Sequence, residues 1–207
     1  MQRTHIYHLF SQLARPPMES AGKLPCGWER ESILALKQCE EKLDFDLREL
    51  EELLTLHCTT DLQDMERHYR ELFGEEEKAL HIPIREEIDE AIPAGARDEI
   101  QRIYEYFGYR PVEYAGRSAD HLSVELGFMK ALTLRETLSD AESGISYALT
   151  QRDFLERHML RWFPSAAERV EKSAHDDFYP RLFRQLASFL INDAKWRRES
   201  LTPQDTA

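Results

Sequence analysis

The sequence predicts an all-α fold, a single compact multi-helix domain, and three observations carry that prediction. Valine occurs only at Val112, Val124 and Val170, while leucine, glutamate, arginine and alanine abound, a balance that favours helices over strands. Apolar residues recur at three- and four-residue steps, and no convincing alternating stretch is present. The 207 residues suit one domain, with no long linker to divide them and no repeat of roughly 20–50 residues. The domain is expected over 1–196. A frayed tail over 197–207 should follow, because no apolar stripe continues past Trp196.

Each expected helix has a local reason. Ile6, Leu9, Phe10 and Leu13 form the first stripe, stopped by Pro16-Pro17. A second helix is expected from about Trp28 to Cys39, and a third through Leu47, Leu50, Leu53 and Leu54. Thr60-Asp-Leu-Gln63 has the form of a capping box ahead of Leu62, Met65, Tyr69, Leu72 and Phe73, with Gly74 as a left-handed stop. Residues 75–95 hold a charge run, Pro83, Pro93 and Gly95, so a loop carrying at most a short helix over Glu86–Ala91 is expected there. A helix over Asp98–Phe107 closes at Gly108, and Tyr109–Ala119 should be irregular. Asp120 then fits an N-cap for a helix with Leu122, Leu126, Met129 and Leu132 on one face. Thr150-Gln-Arg-Asp153 and Ser165-Ala-Ala-Glu168 have the form of further capping boxes. The last long helix carries Phe178, Leu182, Leu186, Phe189 and Leu190, with Pro180 tolerated in its first turn.

Charge narrows the function classes. Asp and Glu number 39 against 27 Lys and Arg, a formal net charge of -12, which argues against nucleic acid and anionic membrane surfaces as partners. No window approaches the ~18 apolar residues of a membrane span, and the N-terminus has no secretory pattern, so a cytoplasmic protein is expected. Cys26, Cys39 and Cys58 are odd in number and wrongly spaced for a zinc ribbon, and are expected as reduced thiols.

Enzyme signatures are missing. The sequence contains no phosphate loop, no dinucleotide fingerprint, no nucleophile elbow, no H-E-x-x-H and no Glu-x-x-His that would build a di-metal bundle. His57 and Cys58 are adjacent, and adjacent helix residues point about 100° apart, so they are not expected to act as a pair. The expectation is a non-enzyme with no catalytic residues, no metal and no cofactor of its own.

The most unusual stretch is Gly116-Arg-Ser-Ala-Asp-His-Leu-Ser-Val-Glu-Leu-Gly-Phe-Met129. Glu125 falls three residues after Leu122 and so shares the apolar face, where an unpaired charge is costly. Two readings are open from the residues alone. In one, Asp120 caps the helix and Glu125 pairs with an arginine or a backbone amide. In the other, Asp120, His121 and Glu125 present a negatively poised edge beside an apolar groove.

This stretch resembles the Asp-His-Leu-x-x-Glu-Leu-x-Phe-Met element of the TorD/DmsD family of cytoplasmic chaperones for molybdenum oxidoreductases. Further landmarks follow in the family's order: Tyr7 to Pro17, Tyr69-Arg-Glu-Leu-Phe-Gly74, Phe154-Leu-Glu-Arg-His-Met-Leu-Arg-Trp162 and Phe178-Tyr179. The resemblance runs from residue 5 to about 192. It implies a non-enzymatic chaperone that binds an apo-molybdoenzyme catalytic subunit or its twin-arginine signal peptide. Such a chaperone supports loading of the molybdenum cofactor and prevents premature export.

The family's peptide-binding pair maps onto Asp120 and His121, with Glu125 beside them. Its Gly-Pro and Pro-Pro-x-Glu loop maps in part, onto Gly74, Pro83 and Glu86, with Ile84 in place of the second proline. Two guanidinium groups ahead of an apolar run would suit carboxylates beside an apolar groove. His158 and Trp162, one turn apart, read as core packing before peptide contact. The resemblance also raises either a monomer or a helix-swapped homodimer. From other classes stand a nucleotide-binding (GTP) regulator, since GTP interaction has been suggested within the family, and a helical adaptor for an unrelated protein.

Overall fold

The computed structural model describes residues 2–19, 47–89, 92, 94–111 and 116–202. The helix expected from Trp28 to Cys39, with Cys26 and Cys39, lies outside the described residues. Among the described residues eight α-helices follow one another: α1 (Gln2–Leu13), α2 (Leu47–Thr59), α3 (Leu62–Phe73), α4 (Ala96–Tyr106), α5 (Leu122–Leu138), α6 (Ala141–Phe154), α7 (Leu160–Ser173) and α8 (Phe178–Leu201). Three-residue 3-10 turns stand at Pro17–Glu19 and Glu86–Ile88, and a π-turn at Leu155–Met159 joins α6 to α7. No strand is present among the described residues, only an isolated antiparallel bridge between Arg85 and His121.

The axis of the fold is α5. Every residue from Leu122 to Met129 is buried, so the first two turns of this helix are enclosed on all sides instead of showing the single stripe expected of them. Helix α1 lies along it, α6 packs beside it, and α8 closes the bundle against α2, α6 and α7. Aromatic rings fill the space between. Phe128 of α5 meets Tyr104 of α4 at 4.6 Å and Phe154 of α6 at 5.0 Å between ring centroids. Phe189 of α8 packs edge-on against Tyr7 at 5.0 Å and stacks with Phe10 at 5.7 Å, both on α1. Each such ring or leucine contributes about 1.5–3 kcal/mol on burial, so the pattern of enclosed rings specifies how the helices meet.

Several local expectations are corrected by how side chains are used. Asp61, not Thr60, caps α3, accepting from the Gln63 amide at 2.8 Å, while the Thr60 hydroxyl donates back to the Leu56 carbonyl. Gly74 is extended, not left-handed; glycine is needed because a Cβ there would collide with the Arg70 carbonyl oxygen. No helix begins at Thr150, whose hydroxyl donates to the Ser146 carbonyl inside α6, and Asp140 is the cap that starts that helix. Nor does one begin at Ser165, since α7 runs through it and Glu168 pairs forward with Lys172.

The expected fraying after Trp196 is also corrected: α8 continues to Leu201 because Arg197 is buried in a polar network. Arg197 donates to Glu136 of α5 at 2.8 and 2.6 Å and to Gln151 of α6 at 2.8 Å. One turn away, Asp193 accepts from the Arg3 guanidinium at 2.7 Å and from the Tyr7 hydroxyl at 2.6 Å. Arg3 and Arg197 both lie over the Trp196 ring, each 4.8 Å from its centroid. The network ties the two ends of the described chain to α5 and α6.

Removing one member of a buried ion pair leaves the other uncompensated. Asp193→Ala should therefore lower stability by about 3–5 kcal/mol in urea unfolding. Asp193→Asn, which keeps the shape and an acceptor, should cost clearly less. Equal and small losses in both variants would show that the network is dispensable.

Candidate functional site

The polar residues singled out in the sequence meet where the chain enters α5. The stretch before the Glu86–Ile88 turn runs antiparallel to residues 120–122, with the Leu122 amide donating to the Ile84 carbonyl at 3.0 Å and the Glu86 amide to the Asp120 carbonyl at 3.1 Å. Asp120 is not the cap of α5. Its carboxylate instead accepts from the Glu87 amide at 3.0 Å and from the Ser118 hydroxyl, so it fastens the turn. His121 is the cap, with Nδ1 accepting from the Ser123 amide at 3.2 Å. Glu86 faces His158, whose Nδ1 stands 3.1 Å from the carboxylate. The π-turn supplies that histidine.

These groups are interior. Asp120 and Glu86 are each 1% exposed, Glu125 0% and His121 6%, so the expected negatively poised edge is not on the surface. The N-terminal half of α5 is enclosed all round, and its first turn therefore carries its polar side chains inside. Nor does Glu125 pair with an arginine or a backbone amide, because neither carboxylate oxygen has a hydrogen-bond partner. Burial, reinforced by the charges of Glu86 and Asp120, pushes its carboxyl well above the usual range. The nearby Trp162 indole opposes that shift without completing a hydrogen bond. Burial, with the positive charges of Arg117 and Arg85, lowers the His121 imidazole to about 3 and keeps it neutral.

Of the six residues expected at the site, the fold brings Glu86, Asp120, His121 and Glu125 together. Pro83 is buried in the stretch leading into them. Gly74 serves otherwise, closing α3 and accepting from the His81 ring at 3.0 Å. His158 and Trp162 are buried as core residues, yet His158 also belongs to the cluster through Glu86. Its place one turn from Trp162 marks it as a core residue, but no local signal pairs it with a residue 72 positions earlier. Next to the cluster, α4, α6 and the π-turn enclose a groove of about 460 Å³ that includes Ile103, Tyr106, Phe107, Phe154 and His158. No group of three or more His, Cys, Asp or Glu among the described residues could hold a metal ion. No described helix is long and apolar enough to cross a membrane.

A family model described as nitrate reductase delta subunit matches residues 37–168, more than half of the chain. The chain belongs to that family. It is the TorD-like group to which the Asp120-His121 element pointed. A selenate reductase assembly chaperone from Thauera selenatis is 34% identical over 92 residues, 42% of this chain and 48% of that protein. A TorD chaperone from Vibrio parahaemolyticus is 27% identical over 100 residues, 48% of this chain and 46% of the relative. This delta-subunit family chain thus spans about half the length of the curated relatives it matches. A solved redox enzyme maturation protein from Archaeoglobus fulgidus superposes with a TM-score of 0.56 at 20% identity, covering 91% of this chain and 93% of its own, which shows a shared fold.

The two buried groups give opposite pH dependences. An unfolded chain protonates His121 near 6.5 and the folded one only near 3, so stability falls as pH drops through that interval. In NMR titration the His121 ring should hold its neutral shifts down to about pH 5, against the ~6.5 of a free imidazole. A midpoint near 6 would contradict its burial as a neutral cap.

Glu125 keeps its proton longer folded than unfolded, so its favourable contribution is full below 4.5 and declines above it. Glu125→Gln should therefore raise the melting temperature at pH 8, by roughly 2–4 °C for each kcal/mol regained. It should bring little at pH 4. A variant destabilised equally at both values would mean that the acid makes a specific bond the amide cannot.

Proposed function

We propose that this protein is a system-specific assembly chaperone in the cytoplasm. It binds the apo form of a molybdoenzyme catalytic subunit, or its twin-arginine leader, while cofactor is inserted and before export. The observation that carries this reading is the Asp120-His121 corner at the entry to α5, in a chain of the delta-subunit family. Membership supports the role, since relatives bear the names of assembly chaperones for selenate, perchlorate and chlorate reductases. The client site is assigned to Asp120, His121, Glu125 and Glu86, with Pro83 and Gly74 shaping the connector that crosses them. Those carboxylates are buried, so a client arginine reaches them when the Glu86–Ile88 turn lifts from α5.

The test is binding of a twin-arginine peptide against the same peptide with both arginines changed to lysine. Lysine keeps the charge but loses the planar fork that grips a carboxylate. The arginine peptide should bind about tenfold tighter, a difference of 1.4 kcal/mol. Asp120→Ala combined with His121→Ala should abolish that preference while the protein stays helical by circular dichroism. Failure to bind either peptide, with no association with any molybdoenzyme subunit, would sink the reading.

A further inference from the structure

The interior around Glu125 holds acidic groups that no lysine or arginine balances. Both Glu125 oxygens are buried without a hydrogen-bond partner, and the residue has no exposed surface. The titratable groups facing it are Glu86 on the 3-10 turn, Asp120 before α5 and Tyr104 on α4, with the Trp162 indole on α7 beside them. Arg3 and Tyr7 of α1 and Gln151 of α6 face the Asp193–Arg197 network instead. Glu86 has a basic partner in His158 of the π-turn, 3.1 Å away. Asp120 is met by a hydroxyl and a backbone amide, which carry no charge. Among the described residues no lysine or arginine forms an ion pair with Glu86, Asp120 or Glu125.

An ionised Glu125 would have neither solvent nor cation nor donor, with like charges beside it. A proton on the acid removes the charge but leaves its hydroxyl without an acceptor. The donor that an ionised Glu125 needs is nonetheless at hand: the Trp162 indole N–H is buried, lacks an acceptor and favours the carboxylate. A guanidinium supplies what else is missing. Its N–H fork donates to a carboxylate, and its charge offsets those of Glu86 and Asp120.

We propose that the entry to α5 takes up a guanidinium of the client in exchange for a proton, and that Glu125 is the group that releases it. The O–H bond of the Glu125 carboxyl breaks and the proton passes to bulk water as the Glu86–Ile88 turn lifts. The carboxylate left behind accepts from the guanidinium and from the Trp162 indole, while the guanidinium keeps all its own protons. One positive charge enters as one leaves, so the net charge of the interior is unchanged. His121 is neutral before and after and takes no part. The client is therefore held more tightly as pH rises, up to the pH at which Glu125 ionises in the free protein, and acid favours release. This rests on the assembly reading and adds its regulation.

The test is calorimetric titration of the full-length protein with a short peptide carrying two adjacent arginines ahead of an apolar run. The peptide is acetylated, amidated and free of other titrating groups. In buffers of differing ionisation enthalpy, the heats should show release of about one proton per peptide bound, with affinity rising by up to about tenfold per pH unit in the mildly acidic range. Glu125→Gln, an uncharged mimic of the acid, should bind without proton release and with a flat pH profile. Its affinity should approach that of wild type at the acid end. Glu125→Asp should restore the release. The infrared carbonyl band of a protonated carboxyl should be present in the free protein, disappear on binding and be absent from Glu125→Gln.

Binding without proton release overturns the exchange and leaves the assembly reading standing. Release that persists in Glu125→Gln also overturns it. So does release lost in His158→Gln but kept in Glu125→Gln, which would put the proton on the imidazole. Should Glu125→Gln fail to bind, the infrared band decides: its loss from wild type on binding supports the exchange, and its absence from the free protein overturns it. If neither the peptide nor any molybdoenzyme subunit binds, the assembly reading falls and the exchange with it.

Discussion

Enclosure of the first two turns of α5 on every side is the constraint on which the rest of the structure depends. A helix with one buried stripe can turn its polar residues outward, but the first turns of α5 have no outside. Its N-terminal amides need partners within the protein, and so does any polar side chain in those turns. His121 answers the first need as cap, and the stretch around Arg85 answers the second by laying a short antiparallel bridge across the entry. The Glu86–Ile88 turn is thus a consequence of the enclosed helix start, in the segment where the sequence suggested a loop carrying a short helix.

Interior placement changes what the acidic residues can be. Surface carboxylates would remain ionised at little cost, but three of them near one helix end cannot all carry charge. The structure separates their roles. Asp120 accepts from an amide and a hydroxyl, Glu86 faces a histidine ring, and Glu125, with neither kind of partner, has its carboxyl pushed above the ordinary range by burial and by those two charges. His121 stays neutral beside them because two arginines and burial disfavour its cation. A net charge of -12 therefore says little about this corner, where burial raises the Glu125 carboxyl above its ordinary range and keeps His121 neutral.

Legibility in the sequence followed the range of the interactions involved. Helix stripes such as Met65, Tyr69, Leu72 and Phe73 were readable because burial on one face repeats locally. Caps were less so, since Thr60, Thr150 and Ser165 each had the right residue type and spent it on another bond or none. The extension of α8 to Leu201 is illegible for a different reason: Arg197 is inside because of Glu136 and Gln151, and no stripe of apolar residues announces a buried arginine. At the site, the cluster of Asp120, His121 and Glu125 stood out within one segment, whereas the Glu86–His158 pairing joins distant segments through a π-turn that no periodicity encodes.

The two buried polar clusters can be told apart by what they leave unfinished. Around Asp193, the arginines, the Tyr7 hydroxyl and the carboxylates find one another, with Arg197 Nε the exception. That cluster fastens helices and has little spare capacity for a ligand. Around α5's entry, both Glu125 oxygens, Trp162 Nε1 and His158 Nε2 lack hydrogen bonds. A core needing only stability would use apolar residues of the same volume there at lower cost.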